Sequence, residues 1–495
     1  MSIEHFDVLI VGAGLSGVGA ACHLRRECPG KTYVVLEARD RIGGTWDLFQ
    51  YPGIRSDSDM YTLGYSFKPW TEAKAIADGP SILNYVNETA REYGVDRHIR
   101  YQHRVKRASW SSQEAKWTVE AEQGNGVIVR LTCNFLSICS GYYRYDQGYT
   151  PDFPGVDRFK GRMVHPQKWT DEVDYTDKRV VVIGSGATAV TLVPALAQKA
   201  KHVIMLQRSP TYILTLPSKD KIANNLRKIL PAKVAYWLTR WKNVLLSMLI
   251  YQLSRRRPEW IKALVRDGLR RQLGPDYDLD THFTPRYNPW DQRLCLVPDG
   301  DMFRAIRKGA ASVVTDHIES FTENGIRLRS GQELEADLVV TATGLELLAL
   351  GGMQIVVDGK NIELSKTYTY KGMMLSDVPN MAITVGYTNA SWTLKADLTS
   401  EYVCRLLKHM DAHGYQQCTA RMAPGSVEQQ PFIDFSSSYV LRAIDHFPKQ
   451  GTKVPWKLYQ NYALDIVTLR HGKVDDGVMR FSNPTAETSE MQQAA

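Results

Sequence analysis

The sequence has no C-x-x-C pair. Its seven cysteines, at 22, 28, 133, 139, 295, 404 and 418, are odd in number and scattered. That pattern excludes a disulfide framework or a cysteine zinc site and fits the reduced thiols of a cytoplasmic protein. No His, Cys, Asp or Glu cluster has metal-ligand spacing, so no metal is expected. Long apolar runs are missing too. The longest, residues 244–253, is too short to span a bilayer. The apolar stretch 8–11 follows Glu4 and Asp7, where a signal peptide would need a basic start. The charge balance is only +8, and no basic stripe interleaved with aromatics is present, so nucleic acid is not an expected partner. A modest basic surplus suits phosphate-bearing cofactors instead.

What the chain does have is length and a duplicated pattern. Its 495 residues exceed one ordinary core, and two or three domains are expected. A strand over 6–11 runs into Gly12, Gly14 and Gly17, a G-x-G-x-x-G turn that also holds Ser16. A helix over 18–27 and a strand over 32–36 follow, and the strand ends in Glu37. The glycines permit a tight turn and close backbone approach to a pyrophosphate, and the helix N-terminus offers free N–H groups. Glu37 can accept hydrogen bonds from a ribose diol and would repel a 2′-phosphate. This site therefore wants FAD or NAD, not NADP.

A second unit begins with a strand over 180–183 and G-x-G-x-x-A at Gly184, Gly186 and Ala189, enclosing Ser185, Ala187 and Thr188 and running on to Val190. The next strand, 202–206, ends in Gln207-Arg208-Ser209. Arg208 can fork onto a 2′-phosphate and Ser209 can donate to it. The contrast between the two strand ends assigns FAD to the first site and NADPH to the second. The fold expected is α/β, with two Rossmann-like dinucleotide-binding domains.

Between the two lies F-x-G-x-x-x-H-x-x-x-W: Phe159, Gly161, His165 and Trp169, just after a boundary marked by Pro151, Pro154 and Gly155. As a lone histidine, His165 reads as a hydrogen-bonding hinge residue. The expected domains are 1–147 and 335–483 for FAD, with 148–334 between them for NADP. The strand 338–344, ending in Ala342-Thr343-Gly344, is expected to return the chain to the FAD domain, and 484–495 forms a polar tail. A helical insertion in the NADP domain, about 217–283, holds long patterns over 231–253 and 258–273. Its run Arg255-Arg256-Arg257 could attract a membrane surface peripherally, though such runs are more often solvated helix ends.

These motifs, with Gly43-Gly44-Thr45-Trp46, the stretches 51–70, 180–216 and 370–375, and Val385 to Asp397, resemble the type I Baeyer–Villiger monooxygenases. This is a branch of the flavin-containing monooxygenases. The resemblance covers nearly the whole chain and points to the ethionamide-activating group of mycobacteria and related bacteria. It implies that Gly44, Thr45, Trp46, Asp57 and the Val105 backbone serve FAD, and Arg55 and Ser56 serve NADP. It implies that Arg293 is the active-site guanidinium and Asp57 the acid that partners it. A guanidinium stays charged at any working pH and can stabilise a flavin C4a-peroxide and the tetrahedral adduct it forms on a carbonyl. The implied reaction takes NADPH and O2 and inserts one oxygen atom into a ketone to give an ester or lactone. S-oxidation of thioethers or thioamides is the implied second activity.

Two departures stand out. Thr170 follows Trp169 where the family has Pro or Asp, and Gln292 precedes Arg293 where lysine is frequent. The alternatives are three. An S- or N-oxidising flavin monooxygenase without ketone oxidation would more often end the motif in Tyr or Phe than in Trp169. A disulfide reductase needs a redox cysteine pair. A binding protein without turnover would not need Arg293 and Asp57.

Overall fold

The computed structural model describes residues 3–292, 294–433 and 437–484. Two sheets, the first mixed and the second parallel, organise the chain. In the first, the strand Glu4–Val11 lies between Tyr33–Leu36 and Ile128–Ile138, parallel to both. Val8 to Val11 and Tyr33 to Leu36 are buried without alternation, as a sheet covered on both faces requires. An antiparallel meander of His103–Ser111, Lys116–Gln123 and Ile128–Ile138 extends this sheet, which has nine strands in all. The late strand Met381–Ile383 rejoins it beside Ile128–Ile138.

The second sheet has five strands in the order Ala311–Thr315, His202–Gln207, Arg179–Ile183, Leu338–Thr341 and Arg162–Val164. All its pairings are parallel. Leu338–Thr341 was expected to lead back into the first domain, with the boundary at 334. It instead lies inside the second sheet, between Arg179–Ile183 and Arg162–Val164. The reason is backbone hydrogen bonding: without it the neighbours on either side would each expose a ladder edge. The return comes one element later. Leu345–Leu347 pairs antiparallel with Tyr143–Gly148, so outgoing and returning chain form a two-stranded connection.

The helical insertion also differs from expectation. Its helices are Lys221–Ile229, Ala232–Arg256 and Pro258–Leu273. Ile261, Val265 and Leu269 join the core of the second unit. Ala223, Tyr236 and Val244 join the core of the first. The insertion thus bridges the units rather than decorating one. Arg240, 5% exposed, anchors the bridge. It donates to the carbonyls of Tyr61 (2.8 Å) and Gly64 (2.7 Å) and pairs with Asp397 at 3.4 Å. Asp397 also accepts from Ser66 N at 2.8 Å and meets His23 Nε2 at 3.1 Å. A buried charge needs this many partners, because an unpaired one costs several kcal/mol. Among the described residues no helix is long and apolar enough to cross a membrane.

Candidate cofactor and active site

The first cradle is built from two stretches about thirty residues apart. The helix Leu15–Glu27 starts at Gly14 with no side-chain cap and no acid in its first turn, so its N-terminal N–H groups remain available. Gly12 takes φ 100°, which turns the chain from strand to helix. A Cβ on Gly17 would collide with the carbonyl oxygen of Gly12, so only glycine lets the helix close on the turn. Gly43 N donates to Ala13 O at 3.0 Å, and a Cβ on Gly44 would lie 3.0 Å from Gly14 Cα. Thr45 and Trp46 open the short helix Thr45–Leu48 beside it. Ser16 Oγ accepts from Trp392 Nε1 at 2.7 Å, leaving its own O–H to donate.

Glu37 stands at the end of Tyr33–Leu36 and is 5% exposed. Its Oε2 accepts from Ala13 N at 2.7 Å and its Oε1 from Arg39 N at 2.9 Å. Burial pushes its carboxyl above the usual range, against those two hydrogen bonds. Each oxygen keeps a lone pair for a ribose hydroxyl. His103 N donates to Glu37 O at 2.9 Å, which brings the strand bearing buried Val105 alongside. Open helix N-terminus, glycine walls and ribose-facing acid fit an adenine dinucleotide with an unsubstituted ribose.

The second cradle repeats the plan. Gly184 N donates to Leu206 O (2.8 Å) as Gly12 N does to Leu36 O (2.7 Å). That shared bond makes Gln207 the counterpart of Glu37. Gln207 is buried and turned inward, its Nε2 donating to His282 O at 2.7 Å and Thr315 Oγ1 at 2.9 Å. Arg208 and Ser209 follow it, both exposed, and Arg208 makes no ion pair among the described residues. The helix Ala187–Leu196 starts at Gly186 without a side-chain cap or first-turn acid. Nothing lies within 4 Å of a Cβ built on Gly186, so this cradle is open. Ser185 Oγ is 2.8 Å from Thr211 Oγ1. Ala189 and Val190 point into the core and can offer a ligand only backbone. Free N–H groups beside an unpaired guanidinium fit a dinucleotide carrying a 2′-phosphate.

The turn after the first cradle docks on the second. Phe49 and Tyr51 belong to the second unit's core. A Cβ on Gly53 would press on Ala195 Cβ at 2.7 Å. Thr188 hydrogen-bonds the Tyr51 hydroxyl, which burial pushes up to about 12. Arg55, expected to face NADP, spans the units by pairing with Asp301 at 2.5 Å. Ser56 is buried, its Oγ accepting from Ser58 N at 2.9 Å. Asp57 sits half-buried in the same turn, close enough to Tyr51 for its charge to act on that hydroxyl. Arg293 lies outside the described residues. The loop leading to it is braced on the helix Ala232–Arg256: Asp291 pairs with Arg255 at 2.6 Å, and Trp290 meets Tyr251 edge-on at 5.5 Å.

The F-x-G-x-x-x-H-x-x-x-W stretch grips the two-stranded connection. Phe159 packs edge-on against Phe321 at 5.7 Å, and a Cβ on Gly161 would strike the Phe159 ring. The His165 ring lies against Gly148 on one connecting strand, and its Nε2 is 3.1 Å from Gly344 O, just before the other. Trp169 is buried in the second unit's core. Gln167, which no motif singles out, donates from Nε2 to Arg144 O and Tyr145 O, both at 2.9 Å. Its contacts follow only from tertiary placement.

The family profile described as flavin-binding monooxygenase-like matches residues 6–410. The FAD-containing monooxygenase EthA of Mycobacterium tuberculosis strain H37Rv is 56% identical over 484 residues, 98% of this chain and 99% of that protein. The chain belongs to the flavin-binding monooxygenase-like family. Its fold is similar to that of a steroid monooxygenase solved in oxidized form with NADP, with a TM-score of 0.76, 22% identity and coverage of 96% and 99% of the two chains. It is equally similar to an open crystal structure of cyclohexanone monooxygenase, with a TM-score of 0.76, 18% identity and coverage of 97% and 100%.

In this flavin-binding monooxygenase-like chain a cavity of about 50 Å³ adjoins the first cradle. Trp392, the partner of Ser16, forms one wall and stacks on Tyr142 at 5.1 Å. Phe432 and Leu458 contribute apolar surface. Thr388, Gln460 and Asp465 add polar lining. Lys395 supplies an ammonium whose Nζ lies 2.9 Å from Asp465 Oδ2, with the Tyr387 hydroxyl donating to the same oxygen at 2.6 Å. Burial pulls the Lys395 ammonium below its ordinary value, against the pull of Asp465. Lys395 and Trp392 fall within the 385–397 stretch that carried the resemblance, yet nothing in sequence spacing pairs Lys395 with Asp465.

Proposed function

We propose that the protein is an NADPH- and O2-dependent flavoprotein monooxygenase that inserts one oxygen atom into ketones to give esters or lactones. S-oxidation of thioethers or thioamides is its second activity. The observation that carries this reading is the docking of the Tyr51–Asp57 turn on the helix that opens the second cradle. Hydride donor and acceptor would bind on adjoining elements.

In this reading the residues 12–17 and 43–46, with Glu37, hold FAD, and the Val105 backbone meets the adenine. The residues 184–190, with Arg208 and Ser209, hold NADPH. The chemistry supplied by a bound flavin is hydride acceptance from NADPH and activation of O2. The chain's own residues do the rest. Glu37 accepts hydrogen bonds from the ribose hydroxyls, and Arg208 forks onto the 2′-phosphate. Arg293 places a permanent positive charge where negative charge develops on oxygen, and Asp57 orients it. The aromatic cavity walls exclude water, which favours oxygen transfer over leakage. Lys395 Nζ, fixed by Asp465, is the polar contact for a substrate carbonyl or sulfur group.

The test is NADPH consumption over linear, cyclic and aryl ketones and thioethers, with product identification. Arg293→Ala should retain flavin reduction by NADPH but lose most of the oxygenated product, about a hundredfold or more. Undiminished ester formation by that variant removes Arg293 from the chemistry, and a purified protein without flavin colour refutes the whole reading.

A further inference from the structure

The outer face of the helical insertion is apolar and uncovered. On Ala232–Arg256, the side chains of Ala235, Tyr236, Thr239, Arg240 and Val244 point into the protein. The opposite side presents Val234, Trp237, Leu238, Leu245, Leu246 and Leu249, between 38% and 59% exposed. The spacing of 234, 238, 245 and 249 is that of one helical stripe. Trp260 and Leu264 on the next helix are 56% and 55% exposed. Of nineteen exposed large apolar side chains among the described residues, ten lie on these three helices. Scattered exposure needs no explanation, but concentration of this kind marks an interaction surface.

Charge identifies what the surface fits. Residues 221–257 hold nine Lys or Arg and no Asp or Glu. Arg240, Lys242 and Arg255 are engaged with Asp397, Asp220 and Asp291. Lys228, Lys233, Arg256 and Arg257 are exposed and make no ion pair among the described residues. A second copy of this chain would set basic edge against basic edge. An anionic lipid surface offers an apolar layer for the stripe and phosphates for the edge, and tryptophan favours that boundary. No described helix crosses a bilayer, so the contact lies in the plane of one leaflet.

We propose that the helical insertion is a peripheral membrane-binding surface that lays the outer face of Ala232–Arg256 on an anionic bilayer. The inner face of that helix is close to the cavity: Trp241 packs on Tyr462 at 6.1 Å, and Tyr462 on Tyr387 at 6.4 Å. Lipid-dissolved substrates would then be presented near the cavity. That last step rests on the proposed function, whereas the docking itself does not.

The purified full-length holoenzyme is sedimented with vesicles of phosphatidylcholine, with and without phosphatidylglycerol. It should bind the mixed vesicles, bind pure phosphatidylcholine weakly, and lose affinity as salt rises. The triple variant Trp237→Ser, Leu245→Ser, Leu249→Ser should partition at least about tenfold less, with flavin content and NADPH oxidation in solution unchanged. Arg256→Gln with Arg257→Gln should remove most of the salt-sensitive part. Holoenzyme that stays in the supernatant with both vesicle types overturns the proposal, whatever its activity. So does a triple variant that binds like the wild type. A wild-type dimer that the triple variant converts to monomer, without vesicle binding, would make this face an interface between copies.

Discussion

The two dinucleotide cradles share one construction and differ in how they are finished. Both turn from a buried parallel strand through a positive-φ glycine into an uncapped helix, at Gly12 and Gly184. The first is then closed by Gly43 and Gly44, and its strand ends in a buried acid. The second stays open at Gly186, and its counterpart acid position holds inward-turned Gln207, followed by exposed Arg208. A walled site suits a group that remains in place, and an open one suits a group that must enter and leave. The same backbone device thus serves two ligands, and a few side chains at the strand end separate them.

The largest effect that would sharpen this contrast is steric. Gly17→Ala puts a methyl into the Gly12 carbonyl, where no flexible side chain can yield. It should cost about 3 kcal/mol or more and strip flavin from the purified protein. Gly186→Ala places the same methyl in open space. Its melting temperature should stay within the shift expected of about 0.5 kcal/mol. Absorbance spectra and thermal melts of both read the difference directly, and equal losses would erase the distinction between walled and open cradles.

Next comes charge. Arg208→Ala should raise the apparent NADPH requirement roughly tenfold to a hundredfold and narrow the preference over NADH. Steady-state kinetics with both nucleotides measure this, and an unchanged ratio excludes Arg208 from 2′-phosphate recognition. The smallest effect concerns the connection between the cradles. Burial pulls the His165 imidazole below its ordinary value of 6.5. A histidine so depressed stabilises the fold fully above that unfolded value, and this contribution is lost as pH falls toward the folded one. Acidification from neutrality through about 6 should therefore lower the melting temperature of the wild type more than that of His165→Asn. Parallel pH profiles would show that the buried imidazole contributes nothing at the connection.

Much of this was legible in sequence because glycine spacing and buried strands are local signals. The strand over 180–183, the helix over 258–273 and the Glu37–Arg208 contrast are each visible within a short window. The boundary at 334 failed because Leu338–Thr341 is equally apolar whichever sheet receives it, and parallel pairing is decided by distant partners. The same limit hid Gln167, the Lys395–Asp465 pair and Arg55–Asp301, whose members lie far apart in the chain.

The sequence by itself determined that two dinucleotide folds exist, which strand end carries acid and which carries base, and that a short motif lies between them. Those facts depend on residue type at fixed local spacing. Only the tertiary structure decided that the turn over 49–57 docks on the second cradle's helix and that His165 grips both connecting strands. It alone decided that the insertion buries Arg240 in the first unit while leaving Trp237 and Leu245 in solvent. The physical reason is that a side chain's partners across a fold are chosen by packing and by satisfying buried polar groups, and neither leaves a periodic mark along the chain.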